Sequence, residues 1–376
     1  MKPNFLNVAG NAQTVIHAGN IHQAFAGSNM QGNISGSATI TVDHSNEGCD
    51  ELIDEVYGGG NQSAYRPTNN DDFAEVLIEN CDNSIAYVYG GGNAAPVPAT
   101  TVTIKGANAI DNAFAGGNGA GEGNSGADIG YLGFFSSGTA TEYGTGIATI
   151  NVQGGKIHHV YGGSNTLGYI RDHAEVNVNA EGDCTMDVAE LYGGGKMAPG
   201  KAATINITCT GEGKIDNVYG GAHMANLIGD IELNIRGGNI GNAFGGNNES
   251  GIINGSITVN VNWNTEACGT NSLNNVYGAG NKADYTGSPV VNIINGKVNE
   301  NVFGGGLKAT VTGDPTVNVS GGTVIHDVYG GGALADVVGN TTVNLNGGII
   351  GGAYGGALGS AEVAAKVYGD TYVHLN

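Results

Sequence analysis

The chain has little of what marks a nucleic-acid binder, a membrane span or a helical domain. Lys and Arg number 13 against 34 Asp and Glu, and only three of the 13 are Arg. A nucleic-acid binder needs a basic footprint that releases counterions, and a formal net charge of −21 gives none. Anionic lipid is disfavoured on the same ground. No run approaches 18 apolar residues, so no segment reads as a membrane-spanning helix. The opening MKPNFLNVAG has no signal-peptide core and reads as a mature or trimmed start. No ten-residue stretch shows 3.6-residue amphipathicity, which argues against helical and leucine-rich solenoids. GxSxG, HExxH, Walker and EF-hand patterns are missing. Zinc is disfavoured because no CxxC pair or nearby CxxH spacing occurs.

What is abundant is glycine, at 69 of 376 residues. Collagen would need it at every third position, and that period is absent. Hydrophobic residues at 40% exceed the level of a disordered low-complexity chain, so the glycine serves an ordered fold with tight bends. Much of it follows an aromatic. EVYGGGN at 55–61 returns as YVYGGGN at 87–93, and looser copies run through HVYGGSN, ELYGGGK and NVYGGAH to GAYGGAL. The aromatics are Phe25, Tyr57, Tyr89, Phe114, Tyr161, Tyr192, Tyr219, Phe244, Tyr277, Phe303, Tyr329 and Tyr354, with a floor spacing of 25–26 residues. A period in this range marks a solenoid.

Each unit also carries a strand of strict alternation: ATITV at 38–42, TTVTI at 100–104, ATINV at 148–152, ATINI at 203–207, SITVNV at 256–261, PTVNV at 315–319 and TTVNL at 341–345. Period-two alternation of β-branched and polar residues predicts one buried face. The expected fold is all-β: a single-stranded right-handed parallel β-helix of about 12 coils of about 25 residues, stacked about 4.8 Å apart. Equivalent aromatics of successive coils should stack into a ladder. Whether it faces inward or outward stays open at this stage. The final TYVHLN aligns with TTVNLN at 341–346, a strand without a polar cap, which favours a single β-helix domain over 1–376 that is a fragment of a longer chain.

These repeats resemble the glycine-rich regions of bacterial cell-surface proteins, the adhesin-like and passenger-like right-handed β-helices. The resemblance covers almost the whole chain and speaks to architecture, because the repeat encodes stacking rather than chemistry. It implies an extracellular or cell-surface location, a non-catalytic structural or adhesive role, and contact with glycan or protein ligands.

Function is therefore sought where the pattern is interrupted. Loop insertions fall at 58–74, with Tyr65, Arg66 and NNDD, and at 115–148, with Tyr131, Phe134, Phe135 and Tyr143. Aromatics on glycine-rich loops suit a sugar-stacking platform or a protein contact. The competing reading is a loop folded back to cover its own apolar residues. The second insertion point lies before the aromatic and holds all five cysteines. Cys49 and Cys81 each precede their aromatic by eight residues in consecutive coils, and Cys184 and Cys209 precede theirs by eight and ten. Stacking would bring each pair to roughly 5 Å, within disulfide reach and implying an oxidising compartment, with Cys268 left free. Five reduced thiols is the alternative.

Two other classes remain. Many parallel β-helices cleave acidic polysaccharides, which takes converging carboxylates with Ca²⁺ and a basic residue, or a pair of acids. Acids at 47–55 and 71–82 sit on adjacent coils and could hold Ca²⁺ weakly; otherwise no cofactor is expected. The polygalacturonase motifs are absent, and the net charge opposes a polyanionic substrate. Arg171–Asp172–His173, the one compact acid–base group, reads as a solvated turn, and His158–His159 as strand residues. The T-x-T and T-x-N rows of the alternating strands resemble ice-binding faces, though threonine is also simply a good strand residue.

Overall fold

The structure is a computed structural model describing residues 7–44, 51–69, 71–119, 126–132, 140–264, 268 and 271–376. It is a parallel β-solenoid of about 13 turns. The chain divides into two compact units, 1–188 with 194–201, and 189–193 with 202–376.

In the first unit, one sheet stacks Ala12–Ile16, Ala38–Val42, Ala74–Ile78, Thr100–Ile104, Ala148–Val152 and Ala174–Asn179 in register. A second stacks the strands that end in the aromatic: Gly19–Phe25, Glu51–Tyr57, Ser84–Tyr89, Ala109–Phe114 and Lys156–Tyr161. A short third side closes each turn, with Val97, Ile129 and Ile170 bridged in sequence. The second unit repeats the plan from Ala203–Cys209 to Thr371–Leu375 on one side and from Lys214–Tyr219 to Ile349–Tyr354 on the next. Its third side includes Tyr285–Thr286, Val311–Thr312 and Val337–Val338. Thirteen alternating strands stand against twelve aromatics because Thr371–Leu375 follows the last of them, Tyr354. Ala74–Ile78 and Ile231–Ile235 carry Glu75 and Glu232 where the seven recognised copies have Thr.

Alternation decides what is buried. Along Ala38–Val42 and Ala148–Val152 every second residue is buried, and Ile40, Val42, Ile150 and Val152 are wholly inaccessible. Each such aliphatic contributes about 1.5–3 kcal/mol on burial. The outward residues build a second lattice. In the second unit, Asn234 donates to Asn206 (3.2 Å), Asn260 to Asn234 (3.0 Å), Asn292 to Asn260 (2.8 Å), Asn318 to Asn292 (2.9 Å) and Asn344 to Asn318 (2.9 Å). A primary amide both donates and accepts, so identical residues at 4.8 Å spacing bond along a column without limit.

The aromatic ladder forms as expected. In the first unit, Phe25, Tyr57, Tyr89, Phe114 and Tyr161 stack at 4.6, 4.8, 5.1 and 4.6 Å between centroids, within 12° of parallel. In the second, Tyr192 through Tyr354 stack at 4.6–5.1 Å. Its direction is now fixed. Val56 and Gly58, the neighbours of Tyr57, face the core, where a Cβ on Gly58 would lie 3.0 Å from Val76 Cγ2. By alternation the rings lie on the outer face of their sheet. Tyr57, Tyr89, Phe114 and Tyr161 are nevertheless buried, because the returning turn lays a column of asparagines over this side: Asn61 donates to Asn29, Asn93 to Asn61, Asn118 to Asn93 and Asn165 to Asn118, at 2.8–2.9 Å. Asn118 also reaches the Tyr57 hydroxyl (3.2 Å), and Asn165 that of Tyr89 (3.3 Å).

The glycine after the aromatic is a matter of space rather than of φ. A Cβ on Gly58 would stand 2.3 Å from the carbonyl oxygen of Gly90 in the next turn, and one on Gly220 2.5 Å from that of Gly245. Nothing larger than hydrogen fits between backbones stacked this closely.

Candidate functional site

The interruptions of the repeat resolve into three kinds of local structure, none of which joins the two units. The first is the insertion at 115–148. Ile129 joins the third side between Val97 and Ile170, and Tyr131–Leu132 pairs antiparallel with Thr141–Glu142. Arg171 ties this hairpin down: Nη1 donates to Glu142 Oε2 (2.9 Å), and Nη2 to the carbonyls of Gly144 and Thr145 (2.7 Å each). Its guanidinium lies against Gly130 and Gly146, where a Cβ would come within 3.0 and 2.6 Å of Nε. Arg171 is thus a latch, not part of a solvated acid–base triplet; His173 and Lys201 flank Asp172 beside it at 3.1 and 3.7 Å. Tyr131 is half-buried, tilted against Tyr169 at 6.2 Å. Phe134 and Phe135 lie outside the described residues.

The second is the acidic cysteine loops. The spacing argument pairs Cys49 with Cys81 and Cys184 with Cys209, and the structure corrects it: Cys81 bonds Cys184, and Cys209 bonds Cys268, with Cα separations of 5.5 and 5.1 Å. Cys49 lies outside the described residues. Two turns separate Cys81 from Cys184, so the bridge forms only because the intervening connections, 105–108 and 153–155, are short. The longer 180–186 loop folds across them, and glycine leaves the room: a Cβ on Gly106 would sit 2.1 Å from Cys184 Sγ, and one on Gly154 2.7 Å from the Cys184 carbonyl oxygen. The Cys268 loop likewise crosses one turn over 236–238, where a Cβ on Gly237 would lie 3.4 Å from Cys268 Cβ. Equal distance from the aromatic therefore does not make two cysteines neighbours; loop length and lean decide. Around the first bridge, Asp43, Glu79, Lys105, Glu181 and Asp183 line a cleft of about 470 Å³, with Lys105 on Glu79 at 2.6 Å. Among the described residues no group of three or more His, Cys, Asp or Glu is arranged to hold a metal ion. Of the acids considered for Ca²⁺, Glu47 and Asp50 lie outside the described residues.

The third is the 58–74 insertion, and here three sequence candidates meet. Tyr65 is 2% exposed and donates its hydroxyl proton to the Gly36 carbonyl (2.8 Å), so its ring offers no stacking platform. Burial, with Asp72 nearby, holds its phenol well above the ordinary range. Tyr143 donates to the Tyr65 carbonyl (3.2 Å); burial raises its phenol too, opposed by the positive charge of Arg66. Tyr65 and Tyr143 thus pack on the solenoid wall. Arg66 does not: it is exposed, at the edge of a cleft of about 380 Å³ that it lines with Asn7, Met30, Gln31, Asn33 and Gln62. Its backbone is clamped by Asn33, whose Nδ2 donates to the Arg66 carbonyl (2.9 Å) and whose Oδ1 accepts from the Arg66 N–H (3.0 Å). Ser63 donates to the Gly32 carbonyl at 2.6 Å across the same cleft. The sequence signalled Arg66 as a base in an insertion, but nothing in it signalled the cleft, which needs Met30 and Asn33 from the preceding turn.

Among the described residues no helix is long and apolar enough to cross a membrane, which says nothing of β-barrels. No protein-family model, no curated protein and no solved structure matches this chain.

Proposed function

We propose that this chain is a non-catalytic bacterial cell-surface β-solenoid, a structural or adhesive element that works outside the reducing cytosol and meets glycan or protein ligands through its loops. The two disulfides thrown across whole turns carry this reading. Disulfides persist in oxidising compartments and are rare where thiols are kept reduced. Here they staple loops over a wall already held by stacked rings and asparagine columns. The repeated side chains are committed to holding one turn to the next. Adhesive contact therefore falls to the insertions, where Arg66 and Tyr131 remain partly accessible and where Phe134 and Phe135 are encoded.

Antibody labelling and protease shaving of intact cells that make the protein test the location. Labelling without lysis, with four cysteines unreactive to alkylation until reduction, is the expected result. A signal that appears only after lysis, with freely alkylated cysteines, would overturn it.

A further inference from the structure

The chain's three arginines are used unequally. Arg171 is spent on Glu142 and two carbonyls. Arg236 and Arg66 instead line clefts of about 240 and 380 Å³ among side-chain amides, and neither guanidinium has a carboxylate partner among the described residues. In a chain with 34 acids against 13 bases, an arginine that lines a cleft with no Asp or Glu in its wall is available to an incoming carboxylate. Arg66 has the better-built setting. Its backbone is fixed on both sides by Asn33, so its position at the rim does not depend on the side chain's own contacts.

We infer that the Arg66 cleft binds a carboxylate-bearing sugar, a uronic acid residue of a glycan. This rests on the adhesive reading above and names its ligand class. The guanidinium fork matches a planar carboxylate with two parallel N–H···O bonds. The amides of Gln31, Gln62 and Asn7 line the same cleft, and each can both donate and accept, as a row of sugar hydroxyls requires. Met30, 66% exposed, supplies an apolar contact for a ring face. An acidic peptide would satisfy the guanidinium and, through its backbone, the amides as well, but it brings no ring face to Met30; the tetraglutamate arm of the test separates the two. The overall charge of −21 opposes a long polyanion more than a single residue, because screening confines repulsion to about 8 Å at physiological salt.

The test is a titration of the whole chain, by calorimetry and saturation-transfer NMR, with D-glucuronate, D-glucose and a tetraglutamate peptide, followed by an oligoglucuronate. Glucuronate is expected to bind at least about tenfold more tightly than glucose, the size of a charge-assisted hydrogen-bonded contact. Arg66→Ala should erase that preference and Arg66→Lys keep part of it, while Arg236→Ala changes nothing. Unchanged melting of Arg66→Ala shows that the fold is intact, since the guanidinium makes no contact that holds the wall. Equal binding of glucose and glucuronate, tighter binding of tetraglutamate, no saturable binding, or wild-type affinity in Arg66→Ala would each overturn the inference. If it falls while intact cells still label, the ligand class is wrong and the surface reading stands. If the cells do not label, the surface reading falls whatever the titration gives.

Discussion

Tyr219→Ala tests whether the ladder supports the wall or merely decorates it. Tyr219 is 4% exposed and lies between Tyr192 at 4.8 Å and Phe244 at 5.0 Å, with its ring within 12° of both. Truncating a packed aromatic to alanine costs about 3–5 kcal/mol. Of this, the two offset stacks account for about 0.5–1.5 kcal/mol each. The expected loss is about 4 kcal/mol, confined to adjacent turns because a solenoid is stabilised by nearest-neighbour interfaces. Global melts average over many turns, so hydrogen exchange of peptides covering Lys214–Tyr219 and Asn239–Phe244 is the suitable readout. Protection there should fall by roughly 10³, the factor that 4 kcal/mol implies, while peptides of the first unit stay unchanged. Tyr219→Phe keeps the ring and removes a hydroxyl that has no hydrogen bond among the described residues, so it should change little. A loss below about tenfold in Tyr219→Ala, or an equal loss in Tyr219→Phe, would refute the view that stacking carries the energy.

Four further outcomes follow from the geometry. Cys184→Ser releases a closed span of 103 residues and should lower stability by up to about 4.7 kcal/mol on the chain-entropy model, and Cys268→Ser, with 59, by up to about 4.2; urea titration under oxidising conditions decides, and no change in either would mean that the bridges do not form. Gly106→Ala should destabilise the oxidised protein by about 1–3 kcal/mol through overpacking against Cys184 Sγ, and a double-mutant cycle with Cys184→Ala should recover part of that loss. Asn260→Ala breaks two rungs of the amide column and should cost about 1–2 kcal/mol, whereas Asn260→Asp, which keeps the acceptor and loses the donor, should retain the bond to Asn292 alone. Burial pushes the phenols of Tyr277 and Tyr169 up to about 12, above the value of 10 they take when unfolded. The unfolded chain then releases these protons first, so their contribution is complete below pH 10 and is lost as pH rises to about 12; phenolate absorbance of the folded wild type minus that of Tyr277→Phe or Tyr169→Phe isolates each group, and a difference that rises at pH 10 would contradict it.

The sequence by itself determined the repeat, the stacked parallel architecture and the identity of the ladder. The physical reason is that a solenoid is nearly one-dimensional. Residues equivalent in sequence become neighbours in space, so Tyr192, Tyr219 and Phe244 could be stacked on paper from spacing alone. The glycine after the aromatic was legible as part of the repeat, but that it answers to crowding between stacked backbones and not to a tight bend came only from the structure. The direction of the ladder was not legible. Val56 and Tyr57 are both buried, and it takes core-facing Gly58 and the asparagine column laid over the rings to show that Tyr57 is covered on the outside of its sheet. Tertiary structure alone decided whatever leans along the axis. Cys184 reaches past two turns to Cys81 because two short glycine connections let its loop through, and no count of residues to the next aromatic contains that information. Arg171 read as a solvated turn because its partners, Glu142 and the Gly144 carbonyl, belong to an irregular insertion with no period to follow. The Arg66 cleft was hidden in the same way: its wall comes from Met30 and Asn33, one turn earlier, where the pattern marks stacking but not the gap that stacking leaves.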